Sequence, residues 1–226
     1  MKQIILRPAL HRFETCGQFA EEFQIGKGDL IITNEYIFQP CFGELKLPAD
    51  VVYQEKYGAG EPSDDMFEAM YADIAKLGRH RRIIGIGGGT VLDLSKLFSL
   101  KNIHPVTDLY DRKLEVAKDK ELVLVPTTCG TGSEVTNISI LAFNGRHSKL
   151  GLAADELYAT DAVLIPELLR GLPFHFERNM GPDKHFVETH KGFIMVPSPC
   201  IRAQLLGLRE VRGGHAGGIM IGTVHG

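Results

Sequence analysis

The sequence predicts an α/β protein built on a parallel sheet, and three observations carry that prediction. Short apolar runs recur without polar alternation, as expected of strands covered on both faces. Helix-like stretches separate these runs, which suits strand–helix–strand units and parallel pairing. Two of the runs end in turns rich in glycine or in side-chain hydroxyls, and open parallel sheets bind ligands beyond the carboxyl ends of their strands.

The elements follow in order along the chain. "DLIIT" (29–33) is a strand run, and "DDMFEAMYADIAKLG" (64–78) is a helix. Ser63 is placed to cap that helix, Asp64 and Asp65 favour its positive end, and Gly78 is placed to stop it. "RRIIGIG" (81–87) is a second strand run leading into the helix "TVLDLSKLFSL" (90–100), with Val91, Leu94 and Phe98 on one face. "VTDLYDRKLEVAKDKEL" reads as an amphipathic, charge-rich connection with a solvated surface, and "ELVLVP" (121–126) and "DAVLIP" (161–166) as further strands. "NGRHSKLG" reads either as a charged loop between two strands or as a patch where Arg146, His147 and Lys149 attract a substrate carboxylate.

Composition narrows the function classes. A chain of 226 residues, 44% hydrophobic and 23% charged, can bury a real core and fits one large domain or one and a half. A net charge of -3 gives no electrostatic reason for nucleic acid or an anionic membrane surface as partner. No apolar run approaches the ~20 residues of a membrane span. The opening "MKQIILRPALHRFE" is interrupted by Arg7, His11 and Arg12 and does not read as a signal peptide. Cys16, Cys41, Cys129 and Cys200 lie far apart without a C-x-x-C pair, so reduced thiols and a cytoplasmic location are expected.

The two turns carry the chemistry. "IIGIGGGTVLDLSK" places Gly85, Gly87, Gly88 and Gly89 between a buried strand and a helix starting at Thr90. Glycines let the backbone approach a ligand, and a helix start offers free N–H groups and a positive dipole end. That suits a phosphate or pyrophosphate; the other reading is a tight strand-to-helix turn with no ligand. Neither G-x-G-x-x-G nor the P-loop pattern is met. "PTTCGTGSEVTN" (126–137) holds four threonines, two glycines and a serine in twelve positions. Its Thr127, Thr128, Thr131 and Ser133 hydroxyls either meet a dinucleotide or cap local turns. Cys129 reads there as a small packing residue.

"GIGGGTVLDLSK" followed by "VPTTCGTGSEVTN" resembles the iron-containing alcohol dehydrogenase family, related to dehydroquinate synthase and glycerol dehydrogenase. The family's Gly-Gly-Gly-Ser/Thr-x-x-Asp is matched by Gly87, Gly88, Gly89, Thr90 and Asp93, and its Pro-Thr-Thr-x-Gly-Thr-Gly-Ser-Glu by Pro126 to Glu134. "YQEKYGAGEPSDDM" and "ADELYATDAVLIPELLRGLPF" look like its 4-hydroxybutyrate dehydrogenase branch. The resemblance runs from about residue 12 to Phe174. It implies a dinucleotide-binding domain of the dehydroquinate synthase-like type over residues 1–174, and hydride transfer between NAD, or NADP, and a small hydroxy acid or its semialdehyde. Gly88, Gly89, Thr90 and Asp93 would hold the pyrophosphate, and Thr127, Thr128, Thr131 and Ser133 would line the adenine, ribose and nicotinamide portions. Lys149 would stand close to the cofactor ribose. Asn34 stands where many members carry an aspartate on the adenosine ribose, which leaves NAD against NADP open with a lean to NAD.

The resemblance also implies a divalent metal, iron or zinc, held by one aspartate and three histidines of a second, all-helical domain. Asp183 occupies the expected place of the aspartate, but Val187 stands where the first histidine belongs. His185, Glu188 and His190 do not make H-E-x-x-H. Residues 175–226 therefore read as a divergent, glycine-rich tail and not as a complete helical metal domain. A reading-frame change or truncation, or a real divergent ending, would each produce it. The domain face that the helical half covers in the family would then be exposed, and a homo-oligomer is expected.

Overall fold

The structure, a computed structural model, describes residues 7–128 and 130–169 in full, together with the backbone of 185–189 and 192–196. Six strands form one parallel sheet: β1 (Ala9–Arg12), β2 (Asp29–Thr33), β3 (Asp50–Tyr53), β4 (Arg82–Gly87), β5 (Glu121–Pro126) and, after a hairpin, β8 (Asp161–Leu164). Their order across the sheet is β1-β8-β5-β4-β2-β3. The hairpin, β6 (Ile138–Phe143) with β7 (Ser148–Ala153), is antiparallel and stands outside that sheet. A second antiparallel pair joins β9 (His185–Thr189) to β10 (Gly192–Val196). The helices are α1 (Cys16–Glu22), α2 (Glu35–Phe42), α3 (Asp64–Leu77), α4 (Gly89–Phe98), α5 (Val106–Tyr110) and α6 (Pro166–Leu169).

Continuous apolar strands arise because helices cover both faces. Leu30, Ile32, Ile83, Leu122 and Leu124 point into a core shared with α3, α4 and α5. Their strand neighbours Ile31, Ile84, Ile86, Val123 and Val125 point into a second core shared with α1 and α2. Alternate residues thus serve opposite cores, so no polar alternation is left to see. At the amino end of the sheet Asp29, wholly buried, takes Arg82 Nε at 3.1 Å and Nη2 at 2.7 Å, which pins β2 to β4.

Ser63 Oγ accepts the Met66 N–H at 3.2 Å, and Asp64 and Asp65 occupy the first turn of α3. Ser63→Ala is expected to lower stability by about 1 kcal/mol, read from the urea midpoint at unchanged slope. Two sequence readings need correction. The "VTDLY" segment is the short helix α5, with Val106, Leu109 and Tyr110 buried, so the solvated part of the connection is the stretch after it, residues 111–120. The strand in "DAVLIP" ends at Leu164, and Pro166 opens α6, the position where its missing N–H costs nothing. β1 and β3 have only four residues each, too few for an apolar run to stand out in the sequence.

Candidate functional site

All six parallel strands point the same way, so the turns after β4 and β5 meet at one edge. The register pairs Gly87 with Pro126, and the Thr127 N–H donates to the Gly87 carbonyl at 3.0 Å, holding the two turns side by side. The glycines there divide into two kinds. A Cβ on Gly87 would lie 2.6 Å from Val91 Cβ, and one on Gly85 2.8 Å from Ser95 Cβ. These two glycines let α4 close onto the sheet. A Cβ on Gly88 would instead meet Thr128 Oγ1 at 3.4 Å, and one on Gly89 would meet Thr131 Cγ2 at 3.1 Å. Gly88 and Gly89 therefore face the hydroxyl-rich turn.

Gly88 is the N-cap of α4 and has no side chain to cap it. Among the described residues, no hydrogen bond takes the N–H groups of Gly89, Thr90 or Val91. Three donors thus stand unpaired at the positive end of a ten-residue helix, beside the hydroxyl-rich turn, an arrangement that suits an anion. The Thr90 hydroxyl donates to the Gly60 carbonyl at 2.9 Å, which brings the loop after β3 over one side. Thr127 is buried, and among the described residues neither its hydroxyl nor that of Thr128 has a hydrogen-bond partner.

Asp93 and Ser133 come together but engage each other. Ser133 Oγ donates to Asp93 Oδ1 at 2.6 Å, and the Ile140 N–H donates to Asp93 Oδ2 at 3.1 Å. Lys96, wholly buried, donates to Ser133 Oγ and the Ile138 carbonyl, both at 2.6 Å, and reaches Asp93 Oδ1 and Thr136 Oγ1 at 3.2 Å. Burial pushes the Lys96 ammonium below its ordinary range, and the adjacent Asp93 carboxylate opposes that shift. Half-buried Glu134 is pushed upward, chiefly by burial. This network fastens α4 to the hydroxyl-rich turn and to the start of β6. Sequence reasoning passed over Lys96; its signal was a lysine within a helix whose neighbours Val91, Leu92, Leu94, Leu97 and Phe98 are all buried.

Asn34 lies at the carboxyl end of β2, buried, and its side chain leaves α2 uncapped. Its Nδ2 donates instead to Glu55 Oε2 at 2.9 Å. Lys149 is on β7, exposed, and forms an ion pair with Glu61. Arg146 makes a two-pronged pair with Asp111, at 2.6 and 2.8 Å, and its guanidinium holds the Asp111 carboxyl down to about 2. The "NGRHSKLG" segment is thus a hairpin loop whose arginine is already neutralised. Asp183 and Cys129 lie outside the described residues. Among the described residues, no three His, Cys, Asp or Glu side chains gather as a metal would require.

The family model for iron-containing alcohol dehydrogenases matches residues 10–166, from β1 to the first residue of α6. The chain belongs to the iron-containing alcohol dehydrogenases. Over 176 residues it is 49% identical to 4-hydroxybutyrate dehydrogenase of Clostridium kluyveri, covering 78% of this chain and 47% of that one. It is 34% identical over 158 residues to sulfoacetaldehyde reductase of Bilophila wadsworthia, covering 68% of this chain and 39% of that one. The chain thus spans about half the length of these family members or less. Among solved structures it is similar to sulfoacetaldehyde reductase from Bifidobacterium kashiwanohense in complex with NAD+, with a TM-score of 0.64 at 19% identity over 76% of this chain and 48% of that one. An iron-containing alcohol dehydrogenase from Thermotoga maritima gives 0.63 at 21% identity, over 80% and 52%. At these identities the likeness is one of fold, and the parallel α/β domain is that of the family.

Proposed function

We propose that the chain is the dinucleotide-binding part of an NAD(P)-dependent alcohol dehydrogenase of the 4-hydroxybutyrate dehydrogenase type, working between a small hydroxy acid and its semialdehyde. The observation that carries this reading is the open row of N–H donors at Gly89, Thr90 and Val91, set against Gly88, Thr128 and Thr131 at the carboxyl edge of the sheet. A pyrophosphate supplies the anion such a row lacks. The 49% identity to 4-hydroxybutyrate dehydrogenase of Clostridium kluyveri supports the substrate class. The bound nicotinamide would carry the hydride. Gly89, Thr90 and Val91 would bind the pyrophosphate through backbone N–H groups, with Gly88 leaving room for it, and the partner-free hydroxyls of Thr127 and Thr128 would take the ribose or carboxamide. Lys149 reaches a cofactor ribose only by leaving Glu61. Asp93 and Ser133 act one step back, by fixing where the turn stands.

A second reading rests on Val187 standing where the family's first metal-binding histidine belongs: a dinucleotide-binding domain without catalysis. In this reading residues 1–174 bind the cofactor and residues 175–226 add no metal domain. Both readings predict binding, and titration calorimetry with NADH on the 226-residue chain checks it. A saturable heat is expected with a dissociation constant between about 1 μM and 1 mM, the ordinary range for enzyme ligands. No heat from folded protein would remove both readings. Elemental analysis after dialysis, paired with an assay of 4-hydroxybutyrate oxidation, separates them: metal with turnover supports the first, and neither supports the second.

A further inference from the structure

At the carboxyl end of β2, where a dinucleotide site ordinarily sets an acidic residue against the ribose, the chain has the neutral Asn34. A carboxylate is nevertheless present there, brought from the next strand. Glu55 follows β3, and its Oε1 accepts the Glu35 N–H at 2.6 Å while its Oε2 accepts Asn34 Nδ2 at 2.9 Å. It therefore caps α2 from outside, in place of the Asn34 side chain, and the positive end of that helix favours its charge. Gln54 beside it is fixed in turn, its Nε2 donating to the Gly58 carbonyl at 2.8 Å and its Oε1 accepting from Asn34 at 3.3 Å.

Register places this carboxylate. Thr33 pairs with Tyr53, and Ile32 pairs with Gly85, so Asn34 falls level with Gln54 on one side and Gly87 on the other. Drawn back over β2 by Asn34, the Glu55 carboxylate stands about one strand spacing, ~5 Å, to the side of the glycine turn. A nucleoside whose phosphate sits on that turn presents its ribose hydroxyls over such a span. Glu55 is exposed, and among the described residues no lysine or arginine pairs with it. Each of its oxygens takes one hydrogen bond from the protein and keeps acceptor capacity for another. Two free acceptor sites on one carboxylate match a vicinal diol.

We propose that Glu55 selects the cofactor: its carboxylate accepts the 2′- and 3′-hydroxyls of the adenosine ribose and repels a 2′-phosphate, so that NAD(H) binds and NADP(H) is refused. The inference rests on the dinucleotide reading above and adds the residue that decides between the two nucleotides.

Calorimetry on the 226-residue chain, with NADH and NADPH titrated in parallel, tests it. The unaltered chain is expected to favour NADH by tenfold or more, about what one charge-assisted hydrogen bond contributes. Glu55→Gln is expected to weaken NADH binding by about tenfold and to erase most of the preference. Adding Asn34→Asp to Glu55→Gln returns a carboxylate to the same place and is expected to restore the preference. A preference unchanged in Glu55→Gln, or an unaltered chain that binds NADPH as well as NADH, overturns the proposal. Heat with neither nucleotide overturns the dinucleotide reading itself, a distinct result. Should Glu55→Gln fail to fold, AMP against 2′,5′-ADP, which differ only by the 2′-phosphate, decides on the unaltered chain: equal affinity overturns the proposal, and a tenfold preference for AMP sustains it.

Discussion

Replacing Lys96 with methionine is expected to cost about 3–5 kcal/mol of stability, because it takes the cation out of a buried ionic network and leaves the acceptors behind. Two effects oppose each other here. Methionine avoids the penalty of burying an ammonium, and it fills nearly the same volume. The acceptors outweigh that gain. The Ile138 carbonyl and the Ser133 hydroxyl, each 2.6 Å from Nζ, lose a buried donor, and Asp93 loses its neighbouring positive charge. Leaving a buried acceptor unsatisfied costs about 1–3 kcal/mol for each group, more where charge is involved. Urea unfolding monitored by circular dichroism measures the loss. The double variant Lys96→Met with Asp93→Asn should be less destabilised than the sum of the single changes, since the two side chains share one network. Strict additivity would show that they do not cooperate. NADH affinity should fall with Lys96→Met as well, because the hydroxyl-rich turn is fastened through Ser133.

What the sequence disclosed was local. The cap at Ser63, the strand runs at 29–33 and 121–126 and the glycine turn can each be read from a few adjacent residues, and local hydrogen bonds and burial decide them. What stayed hidden depends on distant partners. Ser133 meets Asp93 across forty positions and Thr131 Oγ1 accepts the Ser133 N–H, so hydroxyls that look ready for a ligand divide into two engaged inside the protein and two, Thr127 and Thr128, left open. Glu55 meets Asn34 across twenty-one positions, and nothing near "QEKYG" announces that its glutamate completes the end of another strand. The α5 segment was obscured for a different reason. Val106, Leu109 and Tyr110 have helical spacing, but the charges that follow masked five residues with a buried face.

Two neighbouring glycines are expected to fail in different ways when given a methyl group. Gly87→Ala puts a Cβ 2.6 Å from Val91 Cβ and 2.7 Å from its Cγ2. A β-branched side chain cannot rotate its own Cβ away, so α4 must lift from the sheet, and overpacking of this kind costs about 1–3 kcal/mol or more. The backbone at Gly87 does not require glycine for its φ angle, so the loss is steric and should appear in the urea midpoint. Gly88→Ala places its Cβ at an ordinary 3.4 Å from Thr128 Oγ1, where the extended N-cap backbone accepts any residue. Stability should hardly change there. The methyl group stands against Thr128, beside the open N–H groups, and NADH affinity should drop by tenfold or more, the equivalent of about 1.4 kcal/mol. Calorimetry and urea unfolding on both variants separate packing from binding. If Gly88→Ala bound NADH as the unaltered chain does, the phosphate could not be resting on this turn, and the N–H groups of Gly89, Thr90 and Val91 would face only water.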